Sequence, residues 1–261
     1  QVYFVCCVME TKWTAYIGIS RKALIVNNGN KTKELKLPTE ITNTYDSLMD
    51  LMLAAIQSGQ GGEADSQGHA LSDHLPSRKL EERFVSLSET HVDLLRDVLK
   101  YSKYPEQRVA AAWVIAYYHD KSAIVNDLAE AANDNVKEVR NNAIRALGII
   151  INYLQERPNL NVSVSPGPFI ALMNSISWSD RNKSVGVLLA LTKKRDPKLL
   201  LLLKNEALES LLDMASWKND GHAMAGYIIL GRIAGWTDQE ISDSSNKDRQ
   251  EMLAKMLATI N

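Results

Sequence analysis

Asp134-Asn135-Val136-Lys137-Glu138-Val139-Arg140-Asn141-Asn142-Ala143 is the stretch on which the reading of this chain turns. An acidic turn is followed by Val-Arg, the Arg stands three residues before an Ala, and the sequence runs on apolar through Ala146-Leu147-Gly148-Ile149. Gln107-Arg108-Val109-Ala110-Ala111, leading into Trp113-Val114-Ile115, repeats the device 32 positions earlier. Self-similarity at such a period is how a stacked array of helical hairpins looks in sequence, since each hairpin buries its apolar face only against its neighbours.

Outward from these two units the pattern is helical almost to the C-terminus. The spacing predicts helices over 79–88 and 90–101, the latter packing on 106–118, then 121–132 with 136–154. Three prolines between 157 and 168 make an extended connection. Helix 169–176 then pairs with 180–193, 197–203 and 205–216 lead to 221–234, and a last helix closes the chain at 247–260. Arg181 and His222 fall at further steps of 41 residues, where the recurring Arg is expected. The expected architecture is mostly α: an α-solenoid of about four hairpins over 79–261.

The N-terminal part reads differently. Residues 1–37 form a short β segment: Val2–Met9 and Thr14–Ile19 are rich in branched and aromatic residues, Ala23–Val26 ends in Asn27-Asn28-Gly29-Asn30, and Leu35–Leu37 stops at Pro38. So few strands cannot cover both of their faces, so the segment packs on helices or on sequence that is missing. The start at Gln1, already in strand-like sequence, implies that a targeting segment or the front of a larger protein precedes it. Residues 38–78 hold a helix from about Glu40, with Ile41, Tyr45, Leu48, Met49, Met52 and Ile56 on one face, and then a Gly-, Ser- and His-bearing loop.

The second unit resembles the HEAT-repeat family, whose second helices begin Asp-x-x-x-x-Val-Arg-x-x-Ala. Asp134, Val139, Arg140 and Ala143 match at the family's spacing. The resemblance implies that Arg108 and Arg140 reach an Asp or a carbonyl of the neighbouring hairpin, with Asp134 as such a partner, in a ladder that fixes register. More widely, the first strand, the loop Ser66-Gln67-Gly68-His69-Ala70-Leu71 and Trp178-Ser179-Asp180-Arg181-Asn182-Lys183 are similar to a group of bacterial HEAT-repeat proteins with no assigned activity. The later repeats depart from the motif, since Gly221-His222-Ala223 lacks Val-Arg.

Composition excludes several function classes. With 30 basic and 31 acidic residues the chain has no global field to draw it to nucleic acid or an anionic membrane, and residues 88–261 are balanced as well. No apolar run approaches the ~20 residues that span a bilayer, so the expectation is a soluble chain, cytoplasmic rather than exported, and the resemblance implies a bacterial one. Cys6 and Cys7 are adjacent on a strand and have no third thiol to work with, so neither a structural disulfide nor a thiolate metal site is expected. No cofactor or metal is implied, and no catalytic residue is assigned.

The candidate binding residues lie at the starts of the second helices. Asn141, Asn142 and Arg145, with Asp180, Arg181 and Asn182, put amide and cationic donors where helix N–H groups are unpaired and the dipole is positive, a place for an anionic ligand or acidic peptide, or simply a capped and solvated helix end. Ser179 or Asp180 is a possible cap. Trp178 and Trp217, each read as ending an outer helix, are either corner packing or a binding anchor. These residues favour a protein- or peptide-binding scaffold. The alternative is an enzyme: Trp178, Asp180 and Arg181 are the nearest analogue of the residues used by HEAT-like DNA glycosylases, and the loop with Asp65, His69 and His74 holds the one grouping of acid and histidine on a Gly-bearing loop.

Overall fold

The computed structural model describes residues 31–157, 159 and 163–260, together with the backbone of 6–9 and 12–15. The chain divides into two compact units, Ile25–Ser165 and Gln1–Leu24 with Pro166–Asn261. Among the described residues, strands β1 (Cys6–Met9) and β2 (Lys12–Ala15) pair antiparallel, Cys6 opposite Ala15 and Met9 opposite Lys12. The expected strand Ala23–Val26 lies outside the described residues.

In the unit Ile25–Ser165, α1 (Thr39–Gln57) is followed by a hairpin of β3 (Glu63–Ala64) and β4 (Leu71–Ser72), then α2 (Leu75–Tyr101), α3 (Pro105–Val114), α4 (Lys121–Ala131) and α5 (Lys137–Gln155). Hairpins α2–α3 and α4–α5 stack through α3 on α5, and α1 lies on α2 and α3. Their facing stripes bury Ile41, Leu48, Phe84, Leu95, Ile124, Leu128, Ile144, Leu147 and Ile150, each contributing about 1.5–3 kcal/mol of transfer free energy. Leu35–Leu37 makes no strand. Instead Lys33 bridges to Ser102, and the Leu37 N–H donates to Gln107 Oε1 at 2.8 Å, which lays the segment along the α2–α3 turn. The helices expected over 79–88 and 90–101 are one helix, α2, kinked at His91 (φ −123°).

In the other unit, α6 (Gly167–Leu172), α7 (Trp178–Leu191), α8 (Pro197–Glu206), α9 (Leu208–Ala215), α10 (Asp220–Ile233), α11 (Asp238–Ser245) and α12 (Arg249–Ile260) follow in order. Hairpins α6–α7 and α9–α10 stack through α7 on α10, and α8 and α12 also contact α10. The boundaries have local causes. Pro105 and Pro197 stand at the first positions of their helices, where a missing N–H costs nothing. Asp120 caps α4 through the N–H groups of Ser122 (3.1 Å) and Ala123 (3.2 Å). Gly235, at φ +79°, ends α10 with Gly235 N–H to Arg232 O (3.1 Å) and Trp236 N–H to Gly231 O (2.9 Å), the left-handed closure that favours glycine.

Helix α11 was not expected. It is short and polar and buries Ile241 and Ser244, but Thr237 and Glu240 form a reciprocal capping box at its start. Thr237→Ala should lower the unfolding free energy by about 1 kcal/mol, read as a shifted urea midpoint at unchanged slope. An unchanged midpoint would mean that the box is ornamental.

Candidate functional site

Four turns that lead into second helices share a spacing. Ser102, Asp134, Ser175 and Ser216 each stand six residues before Arg108, Arg140, Arg181 and His222. In the first three the side-chain oxygen accepts the N–H two residues on: Tyr104 at 3.2 Å, Val136 at 2.9 Å and Ser177 at 3.1 Å. In the first two the arginine reaches back, Arg108 Nη1 to Ser102 O at 2.9 Å and Arg140 Nη1 to Asp134 O at 2.8 Å. The fourth departs: Ser216 Oγ donates to Leu212 O, and Asn219 caps α10 through the His222 N–H at 3.2 Å.

Asp134 is the hub of the first two turns. Arg108 holds it from two nitrogens, Nε at 3.0 Å and Nη2 at 3.1 Å, and the Lys31 ammonium adds a third contact at 3.0 Å. Arg108 also donates to Asn135 Oδ1 at 3.1 Å. Both Arg108 and Asp134 are buried, as is Arg140. Burial alone would raise the Asp134 carboxyl, but the Arg108 bonds, the Val136 N–H and Lys31 together hold it below its ordinary value.

The sequence-read binding residues divide between the two units. Asn142 is buried and donates to Tyr45 Oη at 3.3 Å and Val109 O at 3.1 Å, tying α5 to α1 and α3. Asn141, half-buried, donates to Asn142 Oδ1 at 3.4 Å. Arg145 lies over the Trp113 ring, 4.6 Å from its centroid, and pairs with Glu63. In the other unit Asp180 is fully buried and accepts the Ser175 hydroxyl at 2.7 Å. Arg181 stands 5.1 Å from the Trp217 ring centroid and pairs with Asp213. Asn182 is half-buried on α7.

Two local readings change. The N-cap of α7 is Ser177, with extended ψ, so Ser179 and Asp180 lie inside the helix rather than at its cap. Trp178 therefore opens α7 rather than ending an outer helix, and its ring meets His222 edge-on at 4.8 Å. The chain leaves α6 at Leu172 and spends the intervening residues on the Ser175 turn, which pushes the helix start to Trp178.

Of the loop residues, His69 alone turns inward. Asp65 is exposed, and His74 is held at the start of α2 by the Ser77 hydroxyl, 2.9 Å from Nδ1. Gly68, at φ +76°, brings the loop down where a Cβ would lie 2.8 Å from Tyr153 Cγ and 3.0 Å from Lys121 Cε. His69 then meets Lys121, whose buried ammonium donates to Ala116 O and Tyr118 O, both at 2.7 Å, and to His69 Nδ1 at 3.2 Å. Three protons meet three acceptors, so Nδ1 accepts and the ring proton sits on Nε2. Burial, with the Lys121 charge beside it, drives the His69 pKa down to about 4, and burial takes Lys121 down to about 8.

The His69 ring packs on Tyr117 at 4.9 Å, and Phe84 touches Tyr117 at 5.4 Å. Glu81, fully buried, accepts the Ser72 N–H on one oxygen at 2.5 Å, while Arg78 Nε grips the Ser72 carbonyl at 2.8 Å. His69 Nε2 and Trp113 Nε1 are buried without a hydrogen-bond partner, while the Tyr117 hydroxyl and the Glu81 carboxyl are within reach of one another. Burial raises the Glu81 carboxyl, with the Ser72 N–H offsetting part, and raises the Tyr117 hydroxyl well above its ordinary value. Sequence reasoning missed Glu81, Trp113, Tyr117 and Lys121. One signal was legible: Glu81 falls on the buried stripe Ser77, Glu81, Phe84, Ser88 of α2, where a carboxylate is out of place.

Residues 92–160 match the family described as HEAT repeats. They contain the α2–α3 turn, the Arg108–Asp134 pair and helix α5. That stretch carries HEAT repeats. No curated protein matches it. Among solved structures it is similar to a designed armadillo repeat protein in complex with the peptide (KR)4, at 13% identity and a TM-score of 0.48 over 85% of this chain and 100% of that one. A second designed armadillo repeat protein shares 14% identity at a TM-score of 0.47, covering 76% of this chain and 98% of that one. Around the HEAT repeats, among the described residues, no group of three His, Cys, Asp or Glu side chains is placed to hold a metal ion, and no helix is long and apolar enough to cross a membrane.

Proposed function

We propose that this HEAT-repeat chain is a bacterial protein- or peptide-binding scaffold. The observation that carries this is a device built twice, once in each unit: an arginine on a second helix, stacked over a tryptophan and paired with a carboxylate. Arg145 lies over Trp113 with Glu63, and Arg181 beside Trp217 with Asp213. A stacked guanidinium is rigid and partly dehydrated, which suits it to a partner's carboxylate or backbone carbonyl. Half-buried neighbours complete each unit's own contact surface, Asn141 in the unit Ile25–Ser165, and Trp178 and Asn182 in the other. Asn142 and Asp180 stand behind it and hold the helix starts in place. The near-even charge, −1 overall, disfavours nucleic acid as the partner.

The test is a peptide-display selection on the wild-type chain, with enriched peptides retested on an Arg145→Glu, Arg181→Glu double variant. Binding at least tenfold weaker, about 1.4 kcal/mol, with an unchanged melting curve is the expected result. Enriched peptides that bind both proteins equally would sink the reading.

The enzymatic alternative draws on one observation, the acid–base groups of His69, Glu81 and Tyr117 buried together inside the unit Ile25–Ser165. A small molecule that raises the melting temperature of the wild type but not of His69→Asn would turn the assignment that way.

A further inference from the structure

The segment from Gly62 to Asp73 lies over Glu81 and Tyr117 as a strap. Its hairpin sets Glu63 directly opposite Ser72, with Asp73 N–H to Gly62 O at 2.8 Å closing the pair. From this one cross-strand position the strap makes three polar contacts with the body. The Glu63 carboxylate pairs with Arg145, the Ser72 N–H goes to Glu81, and the Ser72 carbonyl takes Arg78. A carboxylate beside an extended backbone whose N–H and C=O are both read by side chains is what an acidic peptide in strand conformation would present.

The strap's own hold on the body is weak. Residues 59–67 are exposed, and inward it buries Gly68, His69, Ala70 and Ser72. Little apolar surface is therefore lost when it lifts, and its anchors are polar groups that water or another chain can replace. The closed arrangement also leaves His69 Nε2 unsatisfied. An unpartnered buried group disfavours the state that contains it, and lifting the strap carries the His69 ring into water, which removes that cost.

We propose that the strap is an internal pseudo-ligand: Glu63 and Ser72 occupy the place of an extended acidic peptide, which binds by displacing Glu63 from Arg145 and the Ser72 backbone from Glu81 and Arg78. This rests on the peptide-binding reading and names its partner class and its regulation. The apparent affinity of such a site is its intrinsic affinity reduced by the fraction of molecules with the strap open, so weakening the strap tightens binding without touching the partner.

The probes are a labelled ten-residue peptide alternating threonine and glutamate and its threonine–glutamine counterpart, titrated by fluorescence anisotropy. Glu63→Gln should bind the acidic probe about tenfold tighter than wild type, Arg145→Gln at least tenfold weaker, and the double variant no tighter than Arg145→Gln alone. The neutral probe should not separate the proteins. Glu63 is exposed, so the variant keeps the fold, and a second readout is hydrogen exchange at the Ser72 amide, faster in Glu63→Gln while α3 and α5 are unchanged. Equal binding by wild type and Glu63→Gln, with the Arg145 dependence intact, would overturn the pseudo-ligand and leave the scaffold reading standing. Binding that ignores Arg145 in every variant would overturn the acidic-peptide assignment, while selected peptides that still depend on Arg181 would keep the scaffold.

Discussion

Replacing Asp134 with Asn is expected to destabilise the protein by about 3–5 kcal/mol, the cost of leaving a buried charge without its partner. Arg108 keeps its guanidinium inside whatever residue faces it, and Asn returns one carbonyl oxygen where two charged oxygens stood. Against a total of about 5–15 kcal/mol for an ordinary domain, a loss of that size is a large fraction of the stability and shifts a urea midpoint in proportion. Arg108→Met combined with Asp134→Leu should be more stable than Asp134→Asn alone, because removing both charges removes the burial penalty as well as the attraction. The pH dependence has a definite sign. The folded carboxyl lies below its ordinary value of 3.8, so its stabilisation is present above that value and lost as pH falls through the lower, folded pKa. The acid limb of the wild-type stability curve should therefore contain a component that Asp134→Asn lacks. A midpoint within 1 kcal/mol of wild type would show that the Arg108–Asp134 pair does not fix the repeat register.

The helix starts were legible because a hairpin array repeats its chemistry. Helices α3, α5 and α7 begin three residues before Arg108, Arg140 and Arg181, and α10 two residues before His222. The same repetition contained a second signal, the Ser or Asp six residues before each of these positions, whose carbonyl takes the arginine in the first two turns. What could not be read was non-local. Asn142 has the residue type of a ligand donor, yet it donates to Tyr45, 97 positions away. His69 and Lys121 meet because Gly68 carries the loop onto α4, a contact 52 positions apart that no helical period encodes. The break in α2 at His91 and the short helix α11 were misread because tertiary packing, not local propensity, decides whether two weakly separated helices merge and whether eight polar residues stay folded.

The His69–Lys121 contact predicts a second large effect, at mildly acid pH. In the unfolded chain His69 takes up a proton near its ordinary value of 6.5, whereas in the folded protein burial and the adjacent ammonium delay uptake until about 4. Between those two values the unfolded state binds more protons, so stability falls as pH falls through the window. At 1.36 kcal/mol per pKa unit the loss approaches about 3 kcal/mol at its lower end. Glu81 works the other way, since its raised carboxyl takes up a proton earlier in the folded state and adds stability as pH falls. His222, also lowered by burial, adds a contribution of the same sign as His69. The comparison is therefore made between variants. His69→Asn keeps an acceptor for Lys121 and cannot titrate, so its stability should decline less steeply than wild type from pH 6.5 to 4.5, the two curves separating by about 2 kcal/mol at the lower end. His222→Asn, the control, should shift the curve less. Parallel wild-type and His69→Asn curves would show that the ring is solvated and that the strap does not rest on Lys121.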